Sequence, residues 1–133
     1  MSLRIAEVCI YGRDLQKMRE FYNALLGKKP VLCEENRHLF YRLGDTMLLI
    51  FNPDETRKST DVPPHGCYGA GHLAFYVEEG EYGRWKERVR EMGVEIEREV
   101  VWRNGARSFY FRDPAGNSLE ITVPGTWAWA GKG

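Results

Sequence analysis

The chain has 133 residues, 43% of them hydrophobic and 13% aromatic, and its 19 basic side chains balance 19 acidic ones. That length suits one compact domain burying roughly two thirds of its unfolded surface, so neither disulfides nor a structural metal are needed to hold a core. Charge neutrality excludes the basic footprint on which nucleic-acid binding depends. The wholly apolar runs, such as Met47 to Phe51, fall far short of the about 18 residues that cross a bilayer. No apolar export segment follows Met1-Ser2-Leu3-Arg4, and the three cysteines, Cys9, Cys33 and Cys67, are odd in number and widely spaced. A cytoplasmic protein with reduced thiols is expected.

In chain order, Glu7-Val8-Cys9-Ile10-Tyr11 alternates as a strand. Asp14 is placed to cap a helix running through Leu26, on which Leu15, Met18, Tyr22 and Leu25 share one face and after which Gly27 supplies the stop. Leu39 to Leu43 and Met47 to Phe51 flank Gly44-Asp45 as a hairpin. Asn52 to Gly71, rich in Pro and Gly, reads as a connecting stretch. The pattern then repeats. His72-Leu73-Ala74-Phe75-Tyr76 is a strand, Tyr82, Trp85, Val89 and Met92 mark a helix face stopped by Gly93, and Arg107 to Arg112 and Ser118 to Val123 flank Asp113-Pro114-Ala115-Gly116-Asn117. The hairpins correspond, Tyr41-Arg42 answering Phe111-Arg112 and Leu48-Leu49-Ile50 answering Leu119-Glu120-Ile121. The reading is an α+β domain of two tandem βαβββ modules, residues 3–52 and 71–124. Residues 53–70 link them and 125–133 form a tryptophan-bearing tail. Helices cover the outer face and the sheets curve around a cleft.

Strand parity then selects residues. Leu73, Phe75 and Val77, and Leu119, Ile121 and Val123, form apolar helix-packing faces, which leaves His72, Ala74 and Tyr76 and Ser118, Glu120 and Thr122 for the cleft. In the first module Ile5, Glu7, Cys9, Tyr11, Met47, Leu49 and Phe51 take the cleft side. The repeat makes Glu7 equivalent to His72 and Leu49 equivalent to Glu120, and an approximate twofold would gather the four. Taken singly, each acid is an ordinary strand residue and His72 an ordinary rim histidine. Their joint placement makes Glu7, His72 and Glu120 a candidate site for one divalent ion, Zn, Mn, Ni, Fe(II) or Mg. His38 is expected at the surface, and His65 in a loop that is able to close over the site.

At these residues the chain resembles the vicinal oxygen chelate superfamily, which includes glyoxalase I, methylmalonyl-CoA epimerase, extradiol dioxygenases, fosfomycin-resistance thiol transferases and bleomycin-resistance proteins. The resemblance spans about residues 4 to 124. It is carried by Asp14-Leu15, Phe21-Tyr22 and Leu26-Gly27, by Gly71-His72-Leu73-Ala74-Phe75, and above all by the run from Phe109 through Asp113-Pro114-Ala115-Gly116-Asn117 to Glu120. It implies that His72 and Glu120 are the second-half metal ligands. Glu7 stands where many members have His, and Leu49 where glyoxalase I has a ligand Glu. The fosfomycin transferases match better, with three ligands at the equivalents of 7, 72 and 120 and polar cleft residues matching Ser108 and Tyr110. The extradiol pattern of two His and one carboxylate requires His65 or another histidine.

The expected function is a metal-dependent lyase, isomerase or thiol transferase whose small substrate is chelated through vicinal oxygens, the ion acting as Lewis acid. Glu7 or Glu120 is the candidate base, and Tyr110 and Arg107 are candidates to orient or neutralise an oxyanion. An exposed strand arginine is an equal reading of Arg107, since parity sets it opposite Ser108 and Tyr110. The alternatives are an Fe(II) dioxygenase of the extradiol type and a metal-free, drug-sequestering binder in which Tyr11, Phe51, Tyr76 and Tyr110 stack on a ligand while Glu7 and Glu120 attract a cation. The resemblance implies a homodimer with clefts at or near the subunit interface. Trp127 and Trp129 in the tail are placed to pack on a partner, cap a pocket or fold back on their own subunit.

Overall fold

The computed structural model describes residues 1–131; the last two positions of the expected tail, 132 and 133, lie outside the described residues. The chain divides into two compact units, Met1–Gly71 and His72–Gly133. Each is built on a four-stranded mixed sheet, the α+β architecture expected from the repeat. Among the described residues no helix is long and apolar enough to cross a membrane, and the three cysteines form no disulfide.

In the first unit the strands are β1 (Glu7–Tyr11), β2 (Leu32–Glu34), β3 (His38–Leu43) and β4 (Thr46–Phe51), in the order β1-β4-β3-β2. β1 runs parallel to β4, and the other pairs are antiparallel. Helix α1 (Leu15–Leu26) starts where Asp14 accepts the Lys17 N–H and stops at Gly27, which takes the left-handed conformation at φ 67°. Its buried stripe is Leu15, Met18, Phe21, Tyr22 and Leu25. The stripe meets the odd residues of β3: Tyr22 lies against Tyr41, whose hydroxyl donates to Asn23 Oδ1 at 2.8 Å. Leu48 and Ile50 pair beside Tyr41 and Leu39 and are fully buried with them.

The connecting stretch is more ordered than its proline content predicts. Asn52 caps a one-turn helix, α2 (Pro53–Thr56), accepting the Asp54 N–H at 3.1 Å while its amide donates to Asn36 O at 3.0 Å. The chain then comes back, with the His65 N–H bonded to Thr56 O. Gly66 packs so closely that an added Cβ would lie 2.7 Å from Arg57 Cγ and 3.1 Å from Pro53 O. Residues 53–66 are therefore tied to the first unit, because side-chain and backbone caps supply the hydrogen bonds that proline removes.

In the second unit the strands are β5 (His72–Tyr76), β6 (Arg98–Val101), β7 (Arg107–Arg112) and β8 (Ser118–Thr122), in the order β5-β8-β7-β6. β5 and β8 are parallel, again with antiparallel neighbours. Helix α3 (Tyr82–Glu91) is held by Tyr82, which packs edge-on to Phe109 at 5.4 Å between ring centres. The Tyr82 hydroxyl donates to Glu99 Oε2 at 2.6 Å, and Lys86 Nζ donates to Glu99 Oε1 at 2.8 Å. These two donors hold the Glu99 carboxyl below its ordinary value of 4.5. A depressed carboxyl contributes stability above the unfolded value and loses it as pH falls through the folded one. Glu99→Gln is thus expected to flatten the acid limb of a thermal-stability profile from about pH 4.5 downward, at some loss of stability at neutral pH; an unchanged acid limb would refute this.

Candidate functional site

In the second unit the candidate site residues His72, Tyr110 and Glu120 lie on the sheet face away from α3. Parallel pairing sets His72 beside Ser118 and Ala74 beside Glu120, and antiparallel pairing sets Tyr110 on the other side of Glu120. Glu120 therefore stands on a central strand between an alanine, too short to cover it, and a tyrosine. It is 7% exposed. The His72 Nδ1 atom lies 2.9 Å from Ser118 O, and because a carbonyl only accepts, Nδ1 must carry the proton. The other ring nitrogen, Nε2, lies 3.3 Å from Glu120 Oε1.

Tyr110 lies parallel to the His72 ring, 6.3 Å between centres. Burial, then the adjacent Glu120 charge, pushes its phenol up, so Tyr110 remains a hydrogen-bond donor. This cluster floors a cavity of about 830 Å³ whose walls include Trp102, Arg103, Asn104, Trp127 and Trp129. A hollow of about 950 Å³ opens in the first unit beside the start of α1, lined by Arg13, Arg19, Cys33 and Glu34 among others, and none of the expected site residues reaches it.

An imidazole fixed through its far nitrogen to a backbone carbonyl, facing a carboxylate, is a fitting half-site for a divalent cation. Among the described residues no three His, Cys, Asp or Glu side chains gather as a metal-binding group. Glu7 is exposed on β1 of the first unit, next to Met47 of β4. The structure thus brings His72, Glu120 and Tyr110 together within the second unit, whereas Glu7 belongs to the first.

Other expected residues settle elsewhere. Ser108 is fully buried: its hydroxyl donates to Thr122 Oγ1 at 2.7 Å and is covered by Trp102, whose indole N–H donates to it at 2.9 Å. It supports the cavity wall and does not line the cavity. Arg107 points away from the cavity, with its guanidinium 4.3 Å over the Tyr82 ring and 3.7 Å from Glu79. It cannot orient a substrate at Tyr110, because side chains an odd number of residues apart on β7 leave opposite faces. Tyr76, at 58% exposure, shares the His72 face but not the cavity.

In the first unit Tyr11 and Phe51 meet in an aromatic cluster with His65. The Tyr11 hydroxyl lies 2.7 Å from His65 Nδ1, and Phe51 is 4.9 Å edge-on to the same imidazole. Burial pushes the Tyr11 phenol up. His38, expected at the surface, instead stacks on Phe40 at 4.2 Å and sits edge-on to Phe51, and burial holds its imidazole below the ordinary value. Burial, then Glu7, pushes the Cys9 thiol up, which keeps it a poor nucleophile.

Trp102 and the order of the 53–66 segment are what the sequence reading misses. Trp102 lies in a turn, where no periodicity signals direction; the cross-strand hydroxyls Ser108 and Thr122 on one face were the available clue.

Comparison with known proteins identifies a family and relatives. A family model described as the Glyoxalase/Bleomycin resistance protein/Dioxygenase superfamily matches residues 4–121. The chain is 33% identical over 113 residues to "Glutathione transferase FosA" of Serratia marcescens, covering 83% of this chain and 73% of that protein. It is 28% identical over 110 residues to "Metallothiol transferase FosB" of Staphylococcus saprophyticus, covering 81% and 68%. Among solved structures, lactoylglutathione lyase from Agrobacterium tumefaciens superposes with a TM-score of 0.88 at 35% identity, covering 93% of this chain and 96% of that one.

Proposed function

The chain belongs to the Glyoxalase/Bleomycin resistance protein/Dioxygenase superfamily, and from that premise we propose a divalent-metal-dependent enzyme acting on a small substrate that presents two neighbouring oxygens. The carrying observation is the His72–Glu120 pair, its imidazole locked by Ser118 O so that Nε2 faces the carboxylate. His72 and Glu120 would hold the cation, with Glu7 as the third protein ligand; this donor set suits Zn, Mn, Ni or Fe(II) better than Mg. When bound, such an ion supplies Lewis acidity toward substrate oxygens. Tyr110 keeps its proton and donates to an oxygen that gains charge, and Glu7 or Glu120 accepts the proton that the substrate gives up.

The reaction is of the lyase, isomerase or thiol-transfer type. Support comes from the relatives, a glutathione transferase, a metallothiol transferase and a lactoylglutathione lyase, so glutathione adducts and thiol-plus-epoxide pairs are the first substrates to screen. A metal-free binder is the second reading, favoured by the indoles around Glu120. The same proposal has a cytoplasmic homodimer, and sedimentation velocity measures the oligomeric state.

Elemental analysis after purification without chelator or nickel resin tests the reading. Near one ion per chain is expected in the wild type and almost none in His72→Ala and Glu120→Gln. A wild type that stays metal-free after incubation with Zn, Mn, Ni and Fe(II) would exclude the metal enzyme and leave the binder.

A further inference from the structure

Three indoles and a phenol around one carboxylate is more aromatic surface than holding an ion requires. The wall that carries them is built rigidly. The Trp102 N–H is spent on Ser108, Ser108 donates to Thr122, and the Thr122 and Thr126 hydroxyls lie 2.6 Å apart. These three hydroxyl residues are each less than a tenth exposed. They form a buried ladder that joins the 102–106 turn, strands β7 and β8 and the terminal turn Pro124–Ala130. A second tie runs between the same segments, from the Asn104 amide to Gly125 O at 2.7 Å. Satisfied buried hydroxyl chains of this kind fix a single arrangement.

The ladder fixes Trp102 and the base of the turn on which Trp127 and Trp129 stand, their rings 5.8 Å apart and tilted by 38°. These two are nevertheless 55% and 74% exposed. Large apolar rings held at a cavity mouth in this way are arranged for an occupant. With its N–H satisfied, Trp102 offers the occupant a π-face and not a donor. Charge narrows the class further. Arg103, on the wall, has no charged or hydrogen-bonding partner among the described residues, so its guanidinium is open to an anionic group on the occupant.

We propose that this cavity takes a planar aromatic substrate bearing anionic oxygens. The ring stacks among Trp102, Trp127 and Trp129, the oxygens point toward His72 and Glu120, and a carboxylate meets Arg103. The orientation of the oxygens rests on the metal reading above; the aromatic selectivity does not.

Calorimetric titration of the full chain with salicylate and with cis-2-hydroxycyclohexanecarboxylate, which has the same oxygens but no π-system, tests it. Salicylate is expected to bind about tenfold tighter, as ring stacking of ordinary strength predicts. The preference should persist in EDTA and should vanish in the Trp127→Leu/Trp129→Leu double variant, which keeps apolar bulk. Arg103→Gln should weaken both ligands alike. Equal affinities, no binding of salicylate, or a preference that survives the double variant overturns the proposal. So does a double variant that turns a dimer into a monomer while salicylate shows no preference, since the indoles would then belong to a second copy. A wild type that never binds Mn2+ yet keeps the salicylate preference refutes the metal reading alone.

Discussion

Asp113→Ala should destabilise the second unit by about 2–4 kcal/mol and weaken the metal binding proposed for it roughly 10- to 100-fold. Asp113 is 5% exposed, and its Oδ1 accepts the N–H groups of Ala115 at 2.9 Å and Asn117 at 3.0 Å, while Oδ2 accepts the Asn117 amide at 2.9 Å. Removing the carboxylate strands the two buried Asn117 donors, and an unpaired buried donor costs far more than an ordinary hydrogen bond is worth. The functional loss follows from chain distance. The turn sets where β8 begins, and its first residue, Ser118, supplies the carbonyl that orients His72. Urea denaturation and metal titration of the folded fraction measure the two effects separately. Asp113→Asn keeps one acceptor oxygen and should lose about half as much stability; a variant as stable as the wild type would show that the turn does not organise the strand.

Phe109→Ala should cost about 3–5 kcal/mol, the range for a large aromatic removed from a closed core. Phe109 is fully buried, edge-on to Tyr82 and 5.8 Å from Phe111. Its neighbour Tyr110 leaves the opposite face of β7 and floors the cavity, so Tyr110→Phe should change stability by less than about 1 kcal/mol while removing the donor beside Glu120. Thermal unfolding of the two variants gives the contrast. Comparable losses in both would mean that the two faces of β7 are not separated as the burial pattern shows.

The helix faces and stops were legible because they rest on local rules. Asp14 caps α1, Gly27 ends it, and the stripe from Leu15 to Leu25 is buried as the spacing predicts. Gly93, at φ 75°, follows α3. The partition of β5, β7 and β8 into an apolar face and a face bearing His72, Tyr110 and Glu120 was legible for the same reason. Within it, Ser108 was misassigned to the cavity because parity gives a side chain's face and not what covers it. The one residue that covers it, Trp102, is in a turn. The prolines of residues 53–66 concealed a capped helical turn, since the Asn52 side-chain bonds that replace the missing N–H groups are invisible in composition.

By itself the amino-acid sequence determined the duplicated strand and helix order, the faces of β1, β4, β5, β7 and β8, the Asp113 turn and the pairing of His72 with Glu120. All of these follow from side-chain period, capping and neighbour-to-neighbour hydrogen bonds within one supersecondary unit. Only the tertiary structure decided that Trp102, Trp127 and Trp129 wall one cavity, that Arg107 turns to Tyr82 and Glu79, and that His65 reaches Tyr11 from 54 residues away. Those placements depend on buried hydrogen bonds and ring contacts between segments without periodicity, and such contacts exist only once the sheets have formed.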